Sequence, residues 1–314
     1  MTASAGQAHR YPEMSSATLT HAIADHLGVA ADDVVAGPGS VGVLSALVTA
    51  MVGPGDEVLF AWRSFEAYPI VTRVAGATPV TVPLAQGGRH DVAGLVAAVT
   101  SRTRVVLVCS PNNPTGPVVT AEELDWLLDR VAEDVLVVVD EAYVEFVRDP
   151  VAADGLAAYR HRENVAVLRT FSKAYGLAGL RVGYGLVRGA VSSALRATSL
   201  PFGVSAPGQV AALASLRHGE ELAARVDAVV AERVRVRDGL RTAGWAVPAS
   251  EGNFVWLEAG PATADLAAAF RRAGLAVRAF DDEGVRVTIG EPADNDRVLD
   301  VAMSWRVRPP LRST

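Results

Sequence analysis

Short apolar runs alternate with helical segments over the first two thirds of the chain, and this alternation restricts the available folds more than any other feature. Seven runs have the length and composition of buried strands: 33–36, 57–61, 79–84, 104–109, 136–139, 165–168 and 182–187. Helical or loop segments such as 122–132 separate them. The pattern predicts an α/β fold with a largely parallel sheet that helices cover on both faces.

The pattern changes near residue 220. A long charged helix is predicted at 220–243, followed by a strand, a helix, two strands and a helix at 253–257, 262–273, 276–279, 284–289 and from 293 onward. This order is typical of a smaller α+β domain. We therefore expect three parts: an N-terminal segment at 1–30, a large domain at 31–215 and a small C-terminal domain at 216–314. On the long helix, Arg233, Arg235 and Arg237 alternate with valines, and we expect them on a solvent-exposed face.

Composition and charge exclude several classes of protein. Hydrophobic residues make up 50% of the 314 positions, enough for a large core, and no apolar run reaches the roughly 18 residues of a membrane span. The N-terminus lacks the basic-then-apolar pattern of a signal peptide, and Cys109 is the only cysteine, so we expect a cytoplasmic protein in a reducing compartment. The net charge of −6 and the scattered basic residues argue against a nucleic-acid partner. We expect no membrane partner and no metal.

Lysine occurs once in the chain. Of the 29 basic residues, only Lys173 is not an arginine. A coding bias toward arginine explains the low lysine content, and on that view Lys173 survives by chance. Alternatively, the position needs an amine, because an ammonium can lose its proton and attack a carbonyl, whereas a guanidinium stays charged. The residues around Lys173 favour the second interpretation.

Polar groups follow four of the predicted strands, at the edge where ligands bind in open α/β sheets. The glycine-containing turn at 37–40 opens a helix whose free N–H groups favour binding of an anion, although glycines between a strand and a helix often have only a steric role. The loop at 110–116 is rigid and presents amide side chains, or is an ordinary turn. Asp140 ends a buried strand, where a carboxylate is costly unless it contacts a cation or a strong hydrogen-bond donor. The alternative is that it serves as a structural cap. Two hydroxyls precede Lys173 and Arg181 follows it, which suits a phosphate beside an aldehyde.

Pyridoxal 5'-phosphate (PLP) needs these groups together. A lysine binds its aldehyde as a Schiff base, and a carboxylate keeps its pyridine nitrogen protonated. Donors contact its phenolic oxygen, while hydroxyls, backbone amides and an arginine hold its phosphate. The combination is far more specific than any one group, and it predicts a PLP enzyme with Lys173 as the attachment point.

The chain resembles fold-type-I PLP enzymes, and among them the histidinol-phosphate aminotransferase subfamily, from about Tyr11 to the last helix. The resemblance is carried by Pro111-Asn112-Asn113-Pro114-Thr115-Gly116, Val139-Asp140-Glu141-Ala142-Tyr143, Thr170-Phe171-Ser172-Lys173-Ala174 with Gly176-Leu177-Ala178-Gly179-Leu180-Arg181, and Gly252-Asn253-Phe254. It implies a large domain with a mostly parallel seven-stranded sheet between helices, and a smaller C-terminal α+β domain. It also implies an aminotransferase that acts on an amino acid and a 2-oxo acid.

The resemblance further implies roles for single residues. Lys173, Asp140 and Tyr143 would be catalytic, with Lys173 as Schiff-base lysine and then general base, and Asp140 at the pyridine nitrogen. Asn113 and Tyr143 would contact the phenolic oxygen of the cofactor, and Phe65 would stack on its ring, unless Phe65 is a core aromatic. The phosphate would be held by Ser40, the Val41 amide, Thr170, Ser172 and Arg181. Arg286 would bind the substrate carboxylate, with Asn113 and Arg278 nearby, although a solvent-facing Arg278 fits almost as well. Tyr11 would reach the phosphate of a partner subunit, which implies a homodimer.

Two departures from the subfamily pattern bear on the substrate. Histidinol-phosphate enzymes usually carry Pro-Thr-aromatic before the stacking ring and Ser-Asp-Glu in the glycine turn, whereas this chain has Trp-Arg-Ser-Phe-Glu-Ala-Tyr-Pro at 62–69 and Ser-Val-Gly at 40–42. The first segment resembles the phenylalanine or aromatic amino-acid aminotransferase branch. We therefore expect phenylalanine or tyrosine with 2-oxoglutarate as substrates, with histidinol phosphate as the alternative. The family's N-terminal arm, several dozen residues long, is expected to be truncated or absent, since ten residues precede Tyr11.

Two other functions can use the same scaffold. A PLP-dependent lyase or decarboxylase would have the same cofactor site, and only the orientation of the reacting bond would differ. A sensor domain that binds PLP without turnover is disfavoured, because no helix-turn-helix segment or basic patch accompanies the domain.

Overall fold

The computed structural model describes residues 6–305, and its larger part is built on a seven-stranded sheet. The strands are β1 (Val34–Pro38), β2 (Glu57–Trp62), β3 (Thr78–Pro83), β4 (Thr103–Cys109), β5 (Leu136–Asp140), β6 (Val165–Thr170) and β7 (Val182–Leu186). Their order in the sheet is β1-β7-β6-β5-β4-β2-β3, and the pairings from β6 to β3 are all parallel. The predicted mostly parallel, seven-stranded sheet is confirmed.

One strand runs against the others. β7 pairs antiparallel with both β1 and β6, so its first residues lie at the edge where those two strands end. In this register Val182 lies opposite Pro38, and Gly183 lies opposite Thr170. The connection from β6 to β7 therefore begins and ends at the same edge of the sheet, close to the end of β1.

Helices cover both faces of the sheet. The first face carries α1 (Ala17–Leu27), α4 (Val92–Ala97), α5 (Ala121–Leu128), α6 (Gly155–His161) and α8 (Ala206–Leu216), and the second carries α2 (Gly39–Met51), α3 (Ala67–Val74) and α7 (Gly189–Thr198). Along β5, Val137 and Val139 pack into the first core, while Leu136 and Val138 pack into the second. The continuous apolar character of these strands follows from burial on both faces.

The smaller part of the structure is a three-stranded antiparallel sheet. Its order is β8 (Phe254–Glu258), β10 (Gly284–Thr288) and β9 (Arg278–Phe280). It encloses a separate core with α9 (Gly219–Thr242), α10 (Thr263–Arg272) and α11 (Pro292–Ser304). Although α9 has 24 residues, neither it nor another helix between residues 6 and 305 has the length and apolar character of a bilayer-crossing segment.

The start of the large sheet differs from the sequence-based expectation. Residues Ala31–Asp33 form a turn of 3₁₀ helix, and β1 begins at Val34 and continues to Pro38. α2 then begins directly at Gly39. The segment 37–40 is therefore a direct junction of strand and helix, and not a separate turn between them.

Arg233 does not lie on a solvent-exposed helix face, so that prediction was wrong. Its buried side chain donates hydrogen bonds to the carbonyl groups of Phe146 (3.1 Å) and Gly252 (3.0 Å). It also donates to the Glu251 carboxylate at 3.1 Å. Residues two apart on a helix point about 200° apart, so alternation with valine could not place the arginines on one face.

Candidate active site

The polar residues that follow the strands come together at the carboxyl-terminal edge of the seven-stranded sheet. Ser40 follows β1, Phe65 follows β2, Asn113 follows β4, Tyr143 follows β5 and Lys173 follows β6. These strands run in one direction, so their carboxyl ends lie along one edge. The residues expected at this edge are therefore close together, although they are far apart in sequence.

Lys173 lies half-buried in the connection between β6 and β7. Its Nζ is 5.2 Å from the centre of the Tyr143 ring. Burial lowers the pKa of the Lys173 amine, and the positive charges of Arg286 and Arg181 lower it further, against the opposing effect of Asp140. The amine therefore loses its proton more readily than a free lysine does, as a nucleophile or general base requires.

Asp140 ends β5, and its side chain is only 4% exposed. Its Oδ2 accepts a 2.9 Å hydrogen bond from the Tyr68 hydroxyl, whereas Oδ1 is buried and has no hydrogen-bond partner within residues 6–305. Burial raises the pKa of the Asp140 carboxyl to about 6, although the Tyr68 hydrogen bond acts in the opposite direction. A buried carboxylate oxygen without a hydrogen-bond partner destabilises the folded protein, so Oδ1 is suited to accept a hydrogen bond from a bound molecule.

An anion-binding corner is formed by the start of α2 and the guanidinium of Arg181. The first N–H groups of α2, including those of Ser40 and Val41, lie before the helix's own hydrogen-bond ladder and are available to an anion. A Cβ at Gly39 would come within 2.3 Å of Arg181 Nη2, and a Cβ at Gly183 would come within 2.1 Å of the Ser40 nitrogen. Gly183 therefore requires glycine because two backbone segments approach each other closely, whereas Gly39 favours glycine because its φ is +77° and a side chain would displace the Arg181 guanidinium.

Two hydroxyl groups complete this corner. Arg181 donates to Ser172 Oγ at 3.3 Å and to the Ala178 carbonyl at 3.0 Å. The Thr170 hydroxyl accepts from the Ser172 N–H at 3.1 Å and donates to the Val182 carbonyl at 3.3 Å. The Arg181 guanidinium, the Ser172 hydroxyl and the free N–H groups of α2 provide the donors that a phosphate group needs, and Thr170 lies beside Ser172.

The loop after β4 is held in place by Asn112, which is fully buried. Asn112 Nδ2 donates to the Arg63 carbonyl at 3.1 Å, and Asn112 Oδ1 accepts from the Ser64 hydroxyl. The neighbouring Asn113 instead presents its side-chain oxygen to Arg286, which donates to it. The loop thus connects the segment after β2 with the three-stranded sheet.

Two arginines extend from the three-stranded sheet toward this edge. Arg286 and Arg278 are opposite each other in the pairing of β10 with β9, so their side chains share a face. Arg286 is half-buried, and its Nε has no hydrogen-bond partner within the described residues. Arg278 is exposed and forms an ion pair of 2.9 Å with Glu66. Arg286 therefore lies among the predicted site residues, whereas Arg278 lies farther out and is paired with an acid.

A second ion pair also joins the two sheets. Arg63, in the segment after β2, pairs with Glu283, which lies between β9 and β10. The same guanidinium stacks 4.4 Å from the centre of the Trp62 ring and 5.6 Å from that of Phe280. The segment that contains Phe65 is thus flanked by charged contacts to the smaller sheet.

Phe65 is half-buried and lies next to Tyr68, with the ring centres 5.7 Å apart and the ring planes nearly perpendicular.

Tyr11 lies outside this group, at the surface: its side chain is 85% exposed, and its ring centre is 5.0 Å from that of Phe202. The contact predicted between Tyr11 and a partner subunit stays a prediction.

Sequence reasoning missed Tyr68, Arg63 and Glu66. A signal was present for Tyr68, since residues three apart at the start of a helix lie on one side and a buried tyrosine hydroxyl needs a partner. For the two charged residues there was no local signal, because their partners lie 220 and 212 positions away in the chain.

These residues fit PLP. The unpartnered Asp140 Oδ1 can accept a hydrogen bond from the pyridine nitrogen, Lys173 supplies the amine, and the corner at Arg181 suits the phosphate. The Phe65 ring lies beside Tyr68, the donor to Asp140, where it can contact a flat ring. Between residues 6 and 305 there is no group of three or more His, Cys, Asp or Glu side chains that could hold a metal ion.

The sequence matches the family described as aminotransferase class I and II over residues 2–301. It is 55% identical over 306 residues to an aromatic amino acid aminotransferase of Streptomyces avermitilis (98% of this chain, 85% of the relative) and 48% identical over 297 residues to one of Mycolicibacterium smegmatis (95% and 82%). The structure is similar to that of histidinol-phosphate aminotransferase from Sinorhizobium meliloti in complex with pyridoxal-5'-phosphate, with a TM-score of 0.87 and 29% identity, covering 96% of this chain and 85% of that one. The chain therefore belongs to the class I and II aminotransferase family of PLP-dependent enzymes.

Proposed function

We propose that this aminotransferase moves the amino group between an aromatic amino acid, phenylalanine or tyrosine, and 2-oxoglutarate in a ping-pong reaction. The observation that carries the proposal is the position of Lys173, the only lysine in the chain, beside Tyr143 and at the sheet edge where Asp140 ends β5. The names of the relatives support the aromatic substrate, since those named aromatic amino acid aminotransferases are more similar in sequence than the histidinol-phosphate enzyme.

We propose the following roles toward the cofactor. Lys173 bonds to its aldehyde, Asp140 pairs with its pyridine nitrogen, and Phe65 stacks on its ring. Asn113 and Tyr143 donate to the phenolic oxygen; burial raises the pKa of Tyr143 well above its ordinary value, so its hydroxyl remains a donor at neutral pH. The phosphate is held by Ser40, the Val41 amide, Thr170, Ser172 and Arg181.

The chemistry then depends on charge and proton position. PLP, when bound, withdraws electrons from the bonds of the substrate's α-carbon. Lys173 Nζ removes the proton from that carbon, which its lowered pKa favours. Arg286, whose Nε has no partner in residues 6–305, binds the substrate carboxylate and fixes its orientation, and Arg278 lies beside it toward solvent.

The test of the cofactor role uses the single lysine. We expect the purified protein with PLP to develop visible absorbance, and borohydride reduction to add one cofactor mass to the peptide that contains Lys173. Lys173→Ala and Lys173→Arg should lose both the reduction product and transamination, because neither carries a nucleophilic amine. Full activity in Lys173→Ala would contradict the proposal.

The test of the substrate is a competition between phenylalanine and histidinol phosphate at equal concentrations with 2-oxoglutarate as acceptor. We expect a higher kcat/KM for phenylalanine. A preference for histidinol phosphate would replace the proposed substrate with the alternative, and carbon dioxide release without an acceptor would indicate a decarboxylase.

We also propose a homodimer in which Tyr11 reaches the partner's phosphate site. Tyr11 lies next to other exposed apolar side chains, since Phe202 contacts its ring and the Phe202 N–H donates to the Met14 carbonyl. Leu200, 71% exposed, lies in the same turn. We expect sedimentation to give a dimer that Leu200→Asp dissociates, whereas Val151→Asp, at another exposed position (53%), does not. A wild-type monomer would refute this part.

Two further parts of the proposal concern organisation and location. The separate core around β8, β9 and β10 supports a small C-terminal domain at 216–314, after the large domain at 31–215 and the N-terminal segment at 1–30. A cytoplasmic location is supported by the single cysteine, Cys109, which is buried and has no second cysteine in the sequence to pair with.

A further inference from the structure

Tyr68 lies between two residues that would define the position of a flat cofactor ring. Its own ring is 5.7 Å from that of Phe65, which would contact the face of the cofactor. Its hydroxyl donates to Asp140 Oδ2 at 2.9 Å, and Asp140 would contact the ring nitrogen at the edge of the cofactor. The Tyr68 N–H also donates to the Phe65 carbonyl at 3.0 Å, so the two aromatic residues belong to one turn at the start of α3.

The hydrogen bond from Tyr68 leaves the two oxygens of Asp140 unequal. Oδ2 is occupied by the hydroxyl, while Oδ1 is buried and unpartnered within residues 6–305. Without this bond the carboxylate plane could turn about the Cβ–Cγ bond and direct its free oxygen elsewhere. The Tyr68 hydroxyl opposes such a turn, because it comes from a side chain with 0% exposure that packs in the core with Phe60.

We propose that Tyr68 is a positioning residue that holds the Asp140 carboxylate with Oδ1 toward the cofactor's ring nitrogen and couples it to the stacking residue Phe65. This inference rests on the proposed function. It assigns the hydroxyl of Tyr68 a role that simple core packing would not require, since a phenylalanine would fill the same space.

The electrostatics around Asp140 agree with this role. The charged and titratable groups that influence it are Tyr68 on α3, Lys173 after β6, Cys109 on β4 and the adjacent Glu141. The hydrogen bond from Tyr68 lowers the pKa of Asp140 and opposes the effect of burial, so it favours the charged carboxylate that a protonated ring nitrogen needs. The pKa of Tyr68 itself is raised well above 10 by burial, so the hydroxyl remains a donor.

The experiment compares Tyr68→Phe with Tyr159→Phe. Tyr159 is a matched control, because it is also buried and also donates to an aspartate, Asp33, outside the proposed site. The measurement is the dissociation constant of PLP, determined by titrating cofactor-free protein without substrate. We expect Tyr68→Phe to weaken PLP binding about tenfold, as expected for the loss of one hydrogen bond to a charged group, and Tyr159→Phe to change it less than about twofold.

A double-mutant cycle with Asp140→Asn separates positioning from packing. If Tyr68 acts through the carboxylate, Tyr68→Phe should have almost no further effect on PLP affinity in the Asp140→Asn protein. Tyr68→Met, which also lacks a donor but adapts its shape to the core, should behave like Tyr68→Phe and serves if the latter does not fold. The pH at which the absorbance of bound PLP changes should also shift in Tyr68→Phe.

Two results would overturn the inference: wild-type PLP affinity and pH profile in Tyr68→Phe, or an equal loss of affinity in the Asp140→Asn background. A wild-type protein that binds no PLP would refute the proposed function itself. The two failures are therefore distinguishable.

Discussion

Arg286, on the middle strand of the three-stranded sheet, donates a hydrogen bond to the side-chain oxygen of Asn113, which follows β4 of the seven-stranded sheet. The bond joins residues that are 173 positions apart. The proposed site therefore requires both sheets, with the cofactor groups on one and the substrate arginine on the other.

We expect Arg286→Lys to lower kcat/KM for phenylalanine by roughly 10- to 100-fold. Lysine keeps the charge but cannot form the paired hydrogen bonds of a guanidinium with a carboxylate, and each such charged bond contributes about 1.5–3 kcal/mol. Steady-state kinetics measure the change, and the PLP dissociation constant is the control, which should stay within about twofold. Unchanged kcat/KM would show that another group binds the substrate carboxylate.

Arg286→Gln should raise the pKa of Lys173, because after burial the charge of Arg286 is the largest cause of its lowering. The amine of cofactor-free protein should then react more slowly with an amine reagent at pH 8, and the midpoint of its pH–rate profile should move to higher pH. Arg278→Gln, which removes an exposed guanidinium that does not shift the pKa of Lys173 and adds no new amine, is the matched control. Equal midpoints in the two variants would contradict the electrostatic explanation.

Glu66→Gln removes the acid that pairs with Arg278 at 2.9 Å. We expect the ratio of kcat/KM for amino acids with an anionic side chain to that for phenylalanine to rise about three- to tenfold, as the free guanidinium attracts the anion; exposed ion pairs have effects of this size. Asp227→Asn removes the acid of a similar exposed pair with Arg148, outside the site, and should leave the ratio unchanged. If Glu66→Gln leaves it unchanged too, Arg278 does not influence the choice of substrate.

Glu145→Gln should stabilise the protein at alkaline pH. The Glu145 carboxyl is buried, with an unpartnered Oε2 among the described residues, and burial raises its pKa from 4.5 to about 7, against the opposing effect of Arg169. Below pH 4.5 the carboxyl is protonated in both the folded and the unfolded state, and its contribution to stability is fully present. This contribution is lost as the pH rises through 7, because the buried carboxyl must then ionise. We expect the variant to gain up to about 3 kcal/mol at pH 8 and nothing near pH 4.5.

Thermal unfolding of Glu145→Gln between pH 4.5 and pH 8.5 measures this difference. Glu220→Gln, at an exposed position, is the control and should follow the wild type. A stability difference that does not depend on pH would mean that the substitution changes packing and not ionisation.

Arg233→Met should destabilise the protein by about 3–5 kcal/mol, because the substitution leaves Glu251 and two carbonyl groups without their buried donor. Denaturant unfolding gives the value. Arg235→Met, on the exposed side of α9, should cost less than about 1 kcal/mol. Similar losses of stability in the two variants would show that the burial of Arg233 does not determine the effect.

The apolar runs were enough to predict the sheet, because strands buried on both faces leave a strong signal in the sequence. The reversed direction of β7 was not predicted, since a buried run such as Val182–Leu186 carries no local sign of its direction relative to the strands beside it. A clue was available in the connection at 171–181, which lacks the crossover helix that a parallel strand usually requires.

The positions of Asp140 and Lys173 followed from a simple rule, that polar residues after parallel strands meet at one edge. The pairs Arg63–Glu283 and Glu66–Arg278 could not be predicted in this way. They depend on how one sheet lies against the other, which no local pattern specifies. Arg233 was misplaced because residue alternation was used where the helical repeat decides.

The lone, half-buried Lys173 has a practical consequence. The other basic side chains of the chain are guanidinium groups and imidazoles, which amine-directed acylating and cross-linking reagents leave largely intact. Coupling chemistry of this kind, used to attach enzymes to supports or dyes, meets only the terminal amino group and the amine at the sheet edge. Labelling of Lys173 and inactivation should therefore rise together, and an occupied site should protect the enzyme from both.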